Sequence, residues 1–550
     1  MTTTEQLHSD AARHIGGESG HRSFFGGTVS KTRIVGLLGA FLAMLVLTPV
    51  LGIWGLALGL GVGLVVFFLT QRTHRGSILD RRTRRARWRA RVKTGTDAFE
   101  PFEVAEWDQR EQAAAQARGR SEKWEAARQL TIMRSHPDGA DGMGWLQCGH
   151  NEPGIVWHAP LGEQPYLSVT FTATGQVSGS ESSAKLRRAA EAFGLFLASR
   201  ATPMNLVSDV QMTTRVLPAD SAMQEFWVLS SLDPDAPAEA VRSYENVLRL
   251  NSEDAMVQRH FFTVSWPLTA AFHDAAAKYG EGRDGWRGLM RQEIASTLRG
   301  LTEARVGHVD VLTARRLAAV MLHQQNPSRP IDLVKGVDPA RLGVASHDEF
   351  SAQIVEDVDP IMGGPVQWWH RTAAIRSENM AMGARGQLWA LDLLTGSDIR
   401  FIRTLSFHLH LVPKGEAKAA TAKDVTRDRA DRLDDAQKGR VENDETGANL
   451  SAARRRALDL AHGSPHHGGA WVGYVTISER DRDALMRASR ALEETCATGL
   501  GIERLEWQDS YQAAASGTTW PIGRGLAPGR SSFGSRFINA LAGKSEREAL

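Results

Sequence analysis

The run from Ile34 to Thr70, IVGLLGAFLAMLVLTPVLGIWGLALGLGVGLVVFFLT, contains no ionisable residue. A helical bilayer crossing takes roughly 20 apolar residues, so this run is too long for one crossing and has a break at Thr48-Pro49. Proline lacks a backbone donor and disfavours helix just before it. The pattern predicts two short transmembrane helices, about Ile34 to Thr48 and about Gly52 to Thr70, joined by a tight turn. Gly55, Gly59 and Gly63 lie four apart on the second helix; Gly36 with Ala40 and Gly39 with Ala43 do so on the first. Small residues at this spacing let two helices approach closely.

The flanks set the expected orientation. Lys31 and Arg33 precede the run, and Arg72, Arg75, Arg81, Arg82, Arg84, Arg85, Arg87, Arg89, Arg91 and Lys93 follow it, with Asp80 the only acid among them. Basic flanks stay cytoplasmic, which predicts a multi-pass protein of the cytoplasmic membrane with both termini and the bulk of the chain inside. A cleaved signal peptide is disfavoured: the apolar stretch is too long, starts late and lacks a small-x-small cleavage site. The basic tract is read as a collar on anionic lipid, at about 1 kcal/mol per cation near the surface. Nucleic acid is the alternative polyanion.

Of the 550 residues, more than four hundred follow the hairpin, and the whole chain carries a net charge of only +2. Two cysteines, Cys148 and Cys496, exclude a disulfide framework and a Cys-rich zinc site, and suit a reducing cytoplasm. The organisation expected is a polar tail at 1–30, the hairpin at 31–71 and a basic juxtamembrane and helical connector at 72–150. A first α+β module at 151–330 and a second at 331–530 follow, then a tail at 531–550. Period-two segments at 165–173, 204–217, 259–268, 366–378, 399–413 and 470–478 predict strands; amphipathic segments between them predict helices. The highly charged stretch 414–461 is expected to be a long exposed helix or helical hairpin inserted in the second module. The fold class expected is therefore a membrane-anchored α+β chain with ferredoxin-like or β-α-β modules.

No complete catalytic constellation stands in the sequence. Gly543-Lys544-Ser545 resembles the end of a phosphate loop, but Ile538 stands where its first glycine is needed. His408 with His410, and His462 with His466 and His467, are close in sequence but have no flanking acid or cysteine at metal-site spacing. Cys148 with His150 lacks an orienting third group. The expectation is no enzyme, no cofactor and no metal. Trp368, Trp369, Trp389, Trp471 and Trp507 are expected to fill cores or subunit contacts.

Two parts of the chain together resemble a known group. The hairpin with its basic exit resembles the small inner-membrane hairpin subunit of conjugation-type type IV secretion systems, the PrgI type. The segments HLHLVPKGEAKAA, GYVTISERDRDALMRASRALEE and GLGIERLEWQDSYQAAASGTTWPIGRGL resemble the non-motor half of the large conjugation ATPase. Gln512 and the stretch Trp520-Pro521-Ile522-Gly523-Arg524-Gly525-Leu526 stand where that family has a Gln-containing turn and an LP-x-G segment. The combination is similar to actinobacterial integral-membrane components of conjugation-like type IV secretion loci. That resemblance implies a non-enzymatic scaffold that docks a secretion ATPase and channel subunits at the membrane and is able to self-associate. The Walker motifs of the ATPase are not among the matching segments. A type VII secretion membrane component and a membrane-anchored metal-dependent enzyme are the alternatives.

Overall fold

The computed structural model describes residues 13–15, 31–73, 76–160, 164–175, 182–218, 231, 233, 235–252, 256–360, 363–381, 383–385, 389–395, 400–419, 421–422, 457–461 and 467–525. Of the charged insertion expected at 414–461, residues 420 and 423–456 lie outside the described residues, as do the tail at 531–550, His462 and His466.

In chain order, a short strand β1 (Arg13–Ile15) precedes helices α1 (Lys31–Leu51) and α2 (Ile53–Thr70). Strands β2 (Arg72–Thr73) and β3 (Gly76–Ser77) lead to α3 (Ile78–Thr94), β4 (Ala98–Pro101), α4 (Val104–Gln116), α5 (Arg120–Ile132) and β5 (Met133–Arg134). Then come β6 (Met143–Gln147), β7 (Ile155–His158), β8 (Tyr166–Ala173), α6 (Ser183–Arg200), β9 (Asp209–Pro218), α7 (Ala238–Ser252) and β10 (Met256–Pro267). They are followed by α8 (Ala270–Ala276), α9 (Gly282–Glu303), β11 (Val309–Val311) and α10 (Ala314–Gln325). The rest is β12 (Ser346–Asp348), β13 (Gln353–Val358), β14 (Pro365–Ile375), β15 (Gly383–Arg385), α11 (Leu391–Thr395), β16 (Ile402–Val412), β17 (Gly468–Glu479), α12 (Arg482–Gly499), β18 (Glu506–Trp507) and α13 (Gln512–Ser516).

The body is an α+β structure built on one mixed sheet of 14 strands. The two stretches expected as separate modules share it. The order runs β5-β4-β12-β13-β14-β17-β16-β9-β10-β8-β7-β6, with β18 paired to β14 and β11 to β8. Read outward from the β9/β16 junction, both directions give the same pattern. A long strand is followed by its hairpin partner (β10 or β17) and then by a third strand (β8 or β14). The outer edge of that third strand is shared by β7 and β11 on one side and by β13 and β18 on the other.

The registers agree residue by residue. Thr170 lies opposite Thr263 in the first half and Thr372 opposite Thr476 in the second, and each pair is joined through its hydroxyls, at 3.0 and 2.8 Å. Leu312 N–H donates to Thr170 O in one half, and Gln508 N–H to Thr372 O in the other. The second module thus repeats the strand pattern of the first, about a pseudo-twofold axis through the Thr213–Ser406 pair.

Strand alternation gives the two sheet faces different chemistry. Leu167, Val169, Phe171, Val210 and Val264 face α6 and α9, where they meet Phe196, Leu289, Met290, Ile294 and Leu301. Ala373, Leu405, Val475 and Ile477 meet Leu485, Leu492 and Cys496 of α12 in the same way. The opposite face presents Ser168, Thr170, Thr213, Thr263, Thr404, Ser406 and Thr476, all buried. Buried hydroxyls need partners. They find them in each other, in Gln211 and Arg215 on the same face, and in a strap, residues 517–525, laid across it.

Several elements depart from the sequence expectation. α1 continues through Pro49 to Leu51, because a proline in the last turn removes one backbone bond and the chain reverses only at Gly52, whose φ is +59°. The connector is not a simple spacer: β4 and β5 add to the sheet edge beside β12. Arg13–Ile15, within the stretch read as a tail, pairs antiparallel with β15.

Candidate membrane anchor and basic collar

α1 and α2 form an antiparallel pair. A Cβ on Gly55 would overlap the Leu47 carbonyl, one on Gly59 would overlap Met44, and one on Gly36 would come within 2.8 Å of Val66. Ala40 is buried at the same contact. Gly63 differs: a Cβ there meets nothing within 4 Å, so the last glycine of the stripe is not used by the hairpin itself. The hydroxyls of Thr48 and Thr70 donate to Met44 O (2.7 Å) and Val66 O (2.6 Å), so neither is left unpaired in an apolar medium. Leu38, Leu45, Val50, Ile53, Trp54, Val65 and Phe68 point outward and are exposed. An exposed apolar area this continuous marks an interaction with a membrane or another apolar partner. Of the two helices, Ile53–Thr70 is long and apolar enough to span a bilayer, while Gly36–Leu51 is apolar but shorter.

The basic tract is mostly one helix. Arg72 lies in β2 and Arg75 lies outside the described residues. Arg81, Arg82, Arg85, Arg87, Arg89 and Lys93 are exposed on α3. Arg84 and Arg91 turn the other way. They are seven residues apart, close to two helical turns, with half-buried Trp88 between them, and this face docks on the folded body. Arg84 donates to Trp507 O (3.4 Å) and lies 4.0 Å from Glu506.

Arg91 is 7 % exposed. It donates to Asp348 Oδ2 (2.6 Å), Ser510 O (2.6 Å), Thr96 O (2.8 Å) and Asp138 Oδ2 (3.0 Å), with the Tyr511 ring 4.7 Å from its guanidinium. Ser510 takes a left-handed φ of +79° in presenting that carbonyl. Asp348 also accepts from Ala513 N (2.8 Å), and burial pushes its carboxyl up to about 7 against the opposing pull of Arg91. The expectation that all ten cations lie on a membrane surface therefore changes for Arg84 and Arg91. A tract this dense covers every side of a helix, and the side facing the body meets acids. The spacing of Arg84 and Arg91 was visible in the sequence, but Asp348, 257 residues from Arg91, was not.

The segments that carry the family resemblance form the strap and its neighbours. Gln512 is fully buried and its Oε1 accepts from Thr372 N (2.8 Å). Gln211 donates to Trp520 O (2.8 Å) and accepts from Gly523 N (2.7 Å); Thr170 donates to Pro521 O (2.6 Å), Ser168 to Ile522 O (3.1 Å) and Tyr474 to Gly525 O (2.7 Å). Gly523, at φ +76°, and Gly525 are required by close approach, since a Cβ on either would meet Ser265 or the His408 ring.

The histidines single out no centre. His408 binds Thr518 O (2.8 Å) under the strap, and burial lowers it to about 4. His410, two residues on, meets Asp209 at 2.9 Å, a bond that raises it. Cys148 and His150 are exposed. Among the described residues no three His, Cys, Asp or Glu side chains are grouped to hold a metal. Trp368 and Trp507 are buried, stacked under Arg480 (4.1 Å) and Arg371 (4.0 Å), while Trp369, Trp389 and Trp471 line the core beneath α12.

The chain matches no protein-family model, and no curated protein sequence is similar to it.

Proposed function

We propose that this protein is a non-enzymatic platform subunit of a type IV secretion or conjugation-like transfer apparatus, anchored in the cytoplasmic membrane by α1 and α2 with both termini cytoplasmic. The observation that supports an anchored platform is the Arg91 network, and the secretion assignment rests on the resemblance of the segments quoted above. It ties the helix leaving the hairpin to Asp348 and Asp138 of the body, so the sheet is held beside the bilayer instead of hanging from a linker. Six exposed cations on α3 suit the anionic surface of the inner leaflet. The β1–β15 pairing supports the orientation: residues before and after the hairpin pair only if both lie on one side of the membrane. The activity is binding, with a secretion ATPase and channel subunits as the partners.

The test is affinity purification of the tagged full-length protein from its native membrane in mild detergent, with the partners identified. A conjugation-type ATPase together with a polytopic channel subunit is the expected result. Recovery of the chain alone, or with type VII secretion subunits, counts against it.

A further inference from the structure

Beside the hairpin contact runs a groove of about 760 Å³, lined among others by Leu37, Phe41, Met44, Gly59, Gly63 and Phe68 and almost wholly apolar. We infer that it holds one acyl chain of an anionic phospholipid from the leaflet next to the body; this rests on the membrane-anchor reading above.

Three observations select that occupant. The first is length. On α2 the groove runs from Gly59 to Phe68 and stops, although the hairpin continues to Gly52. Nine residue steps at about 1.5 Å are about 14 Å, close to half of a hydrocarbon core of about 30 Å. A lipid tail spans one leaflet; a neighbouring transmembrane helix would need a groove along the whole hairpin. The second is position. The groove lies at the Ile34 and Thr70 ends of the helices, where the lipid headgroups of that leaflet begin. The third is charge. In the sequence Lys31 and Arg33 precede that end and Arg72 follows it, with the exposed arginines of α3 beyond, so the chain entering and leaving the groove end is cationic, which suits an anionic headgroup. Gly63 then has a use. It leaves open, next to the hairpin contact, the volume the tail would fill.

The full-length protein in mild detergent is offered phosphatidylglycerol or phosphatidylcholine, and its mass is measured under native conditions. The expected result is one retained phosphatidylglycerol per chain, preferred over phosphatidylcholine by about tenfold or more. Gly63→Leu fills the groove without touching the hairpin contact and should lose about tenfold in retention. Gly39→Leu also meets nothing within 4 Å but lies away from the groove, and should retain the lipid. Equal retention by Gly63→Leu, equal binding of the two lipids, or a dimer in place of the lipid adduct overturns the inference. Reconstitution and flotation with phosphatidylglycerol vesicles separates the two failures. If wild type does not float, the membrane reading fails and this inference with it; if it floats but holds no discrete lipid, the groove assignment alone fails.

Discussion

Thr213 and Ser406 lie directly opposite each other in the β9/β16 ladder with their hydroxyls 3.5 Å apart, and every equivalence between the two halves of the sheet turns about this pair. The junction strands are the centre of a repeated strand pattern. Each half supplies one long strand to the centre and keeps α6 and α9, or α12, on the same apolar face, while α10 lies with the strap on the other. Joining the two halves edge to edge protects the inner edge of each, which would otherwise be open to pairing with another chain. The outward-running hydroxyl face is common to both halves, and it is this face that the strap at 517–525 closes.

That shared face predicts a measurable coupling. Thr476 Oγ1 lies 2.8 Å from Thr372 Oγ1 and 2.9 Å from Thr519 Oγ1, all buried. Thr476→Val keeps the shape but strands the Thr372 hydroxyl, while Thr519 keeps its bond to Ser516 O (2.9 Å), at a cost of roughly 1–3 kcal/mol. Thr372→Val should cost less, because Thr476 keeps its bond to Thr519. The double variant should cost less than the sum, with a coupling of about 0.5 kcal/mol or more in a thermal or denaturant unfolding cycle. Strict additivity would mean that the hydroxyls do not act together.

The docked face of α3 gives a second expectation. Arg91→Ala leaves Asp348, fully buried in its side chain, without its cation. Breaking a buried pair from one side costs about 3–5 kcal/mol, and amide exchange over 78–94 should quicken because the helix loses its tether. Arg89→Ala, on the exposed side, should stay within about 0.5 kcal/mol of wild type. Equal effects of the two substitutions would show that α3 is not docked through Arg91.

Long periodic elements were legible before the structure: β8, β10, β14, β16, β17 and the helices α6, α9, α10 and α12 stand within a few residues of the segments that alternation and helical spacing marked. Local pattern suffices there because each element is long enough to bury a whole face. β4 and β5 were missed because four and two residues carry no period, and Pro101 argues against a strand. The shared sheet was missed for a different reason. Hydropathy shows that β9 and β16 have buried faces but not that Thr213 meets Ser406 across 193 residues. In the hairpin, the stripe Gly55, Gly59, Gly63 was read as one surface, whereas the first two face α1 and the third faces open space. Spacing places residues on a face, and the crossing of the two helices decides where that face is used.

Acid should destabilise the sheet through two histidines. His370 Nε2 bonds Gln325 O at 2.8 Å; a carbonyl only accepts, so Nε2 carries the proton and Nδ1 accepts from Ser478 (2.8 Å). His408 Nε2 likewise donates to Thr518 O. Burial holds both neutral and lowers each to about 4. Because the unfolded chain takes up these protons near 6.5, the stabilisation is complete above that pH and is lost as pH falls from there through about 4. The loss is on the order of a few kcal/mol per histidine. Unfolding of wild type and His370→Gln between pH 7 and pH 4.5 checks this: the variant, already less stable at pH 7, should show the shallower acid dependence.

The contact between β1 and β15 is the most direct test of the proposed double crossing of the membrane. His14 lies opposite Ala384 in an antiparallel pair, where facing Cβ atoms are about 4.5–5.5 Å apart. That is near the range a disulfide bridges. In a Cys148→Ser background, with Cys496 buried, the double variant His14→Cys/Ala384→Cys should cross-link on mild oxidation of native membranes. The bond joins residues before and after an apolar hairpin, so it forms only when α1 and α2 return the chain to the side it left. A single crossing would put the two cysteines on opposite faces of the bilayer, and no oxidant would join them. Failure to cross-link in membranes, with efficient cross-linking after detergent extraction, would therefore overturn the double crossing proposed here and leave the sheet architecture intact.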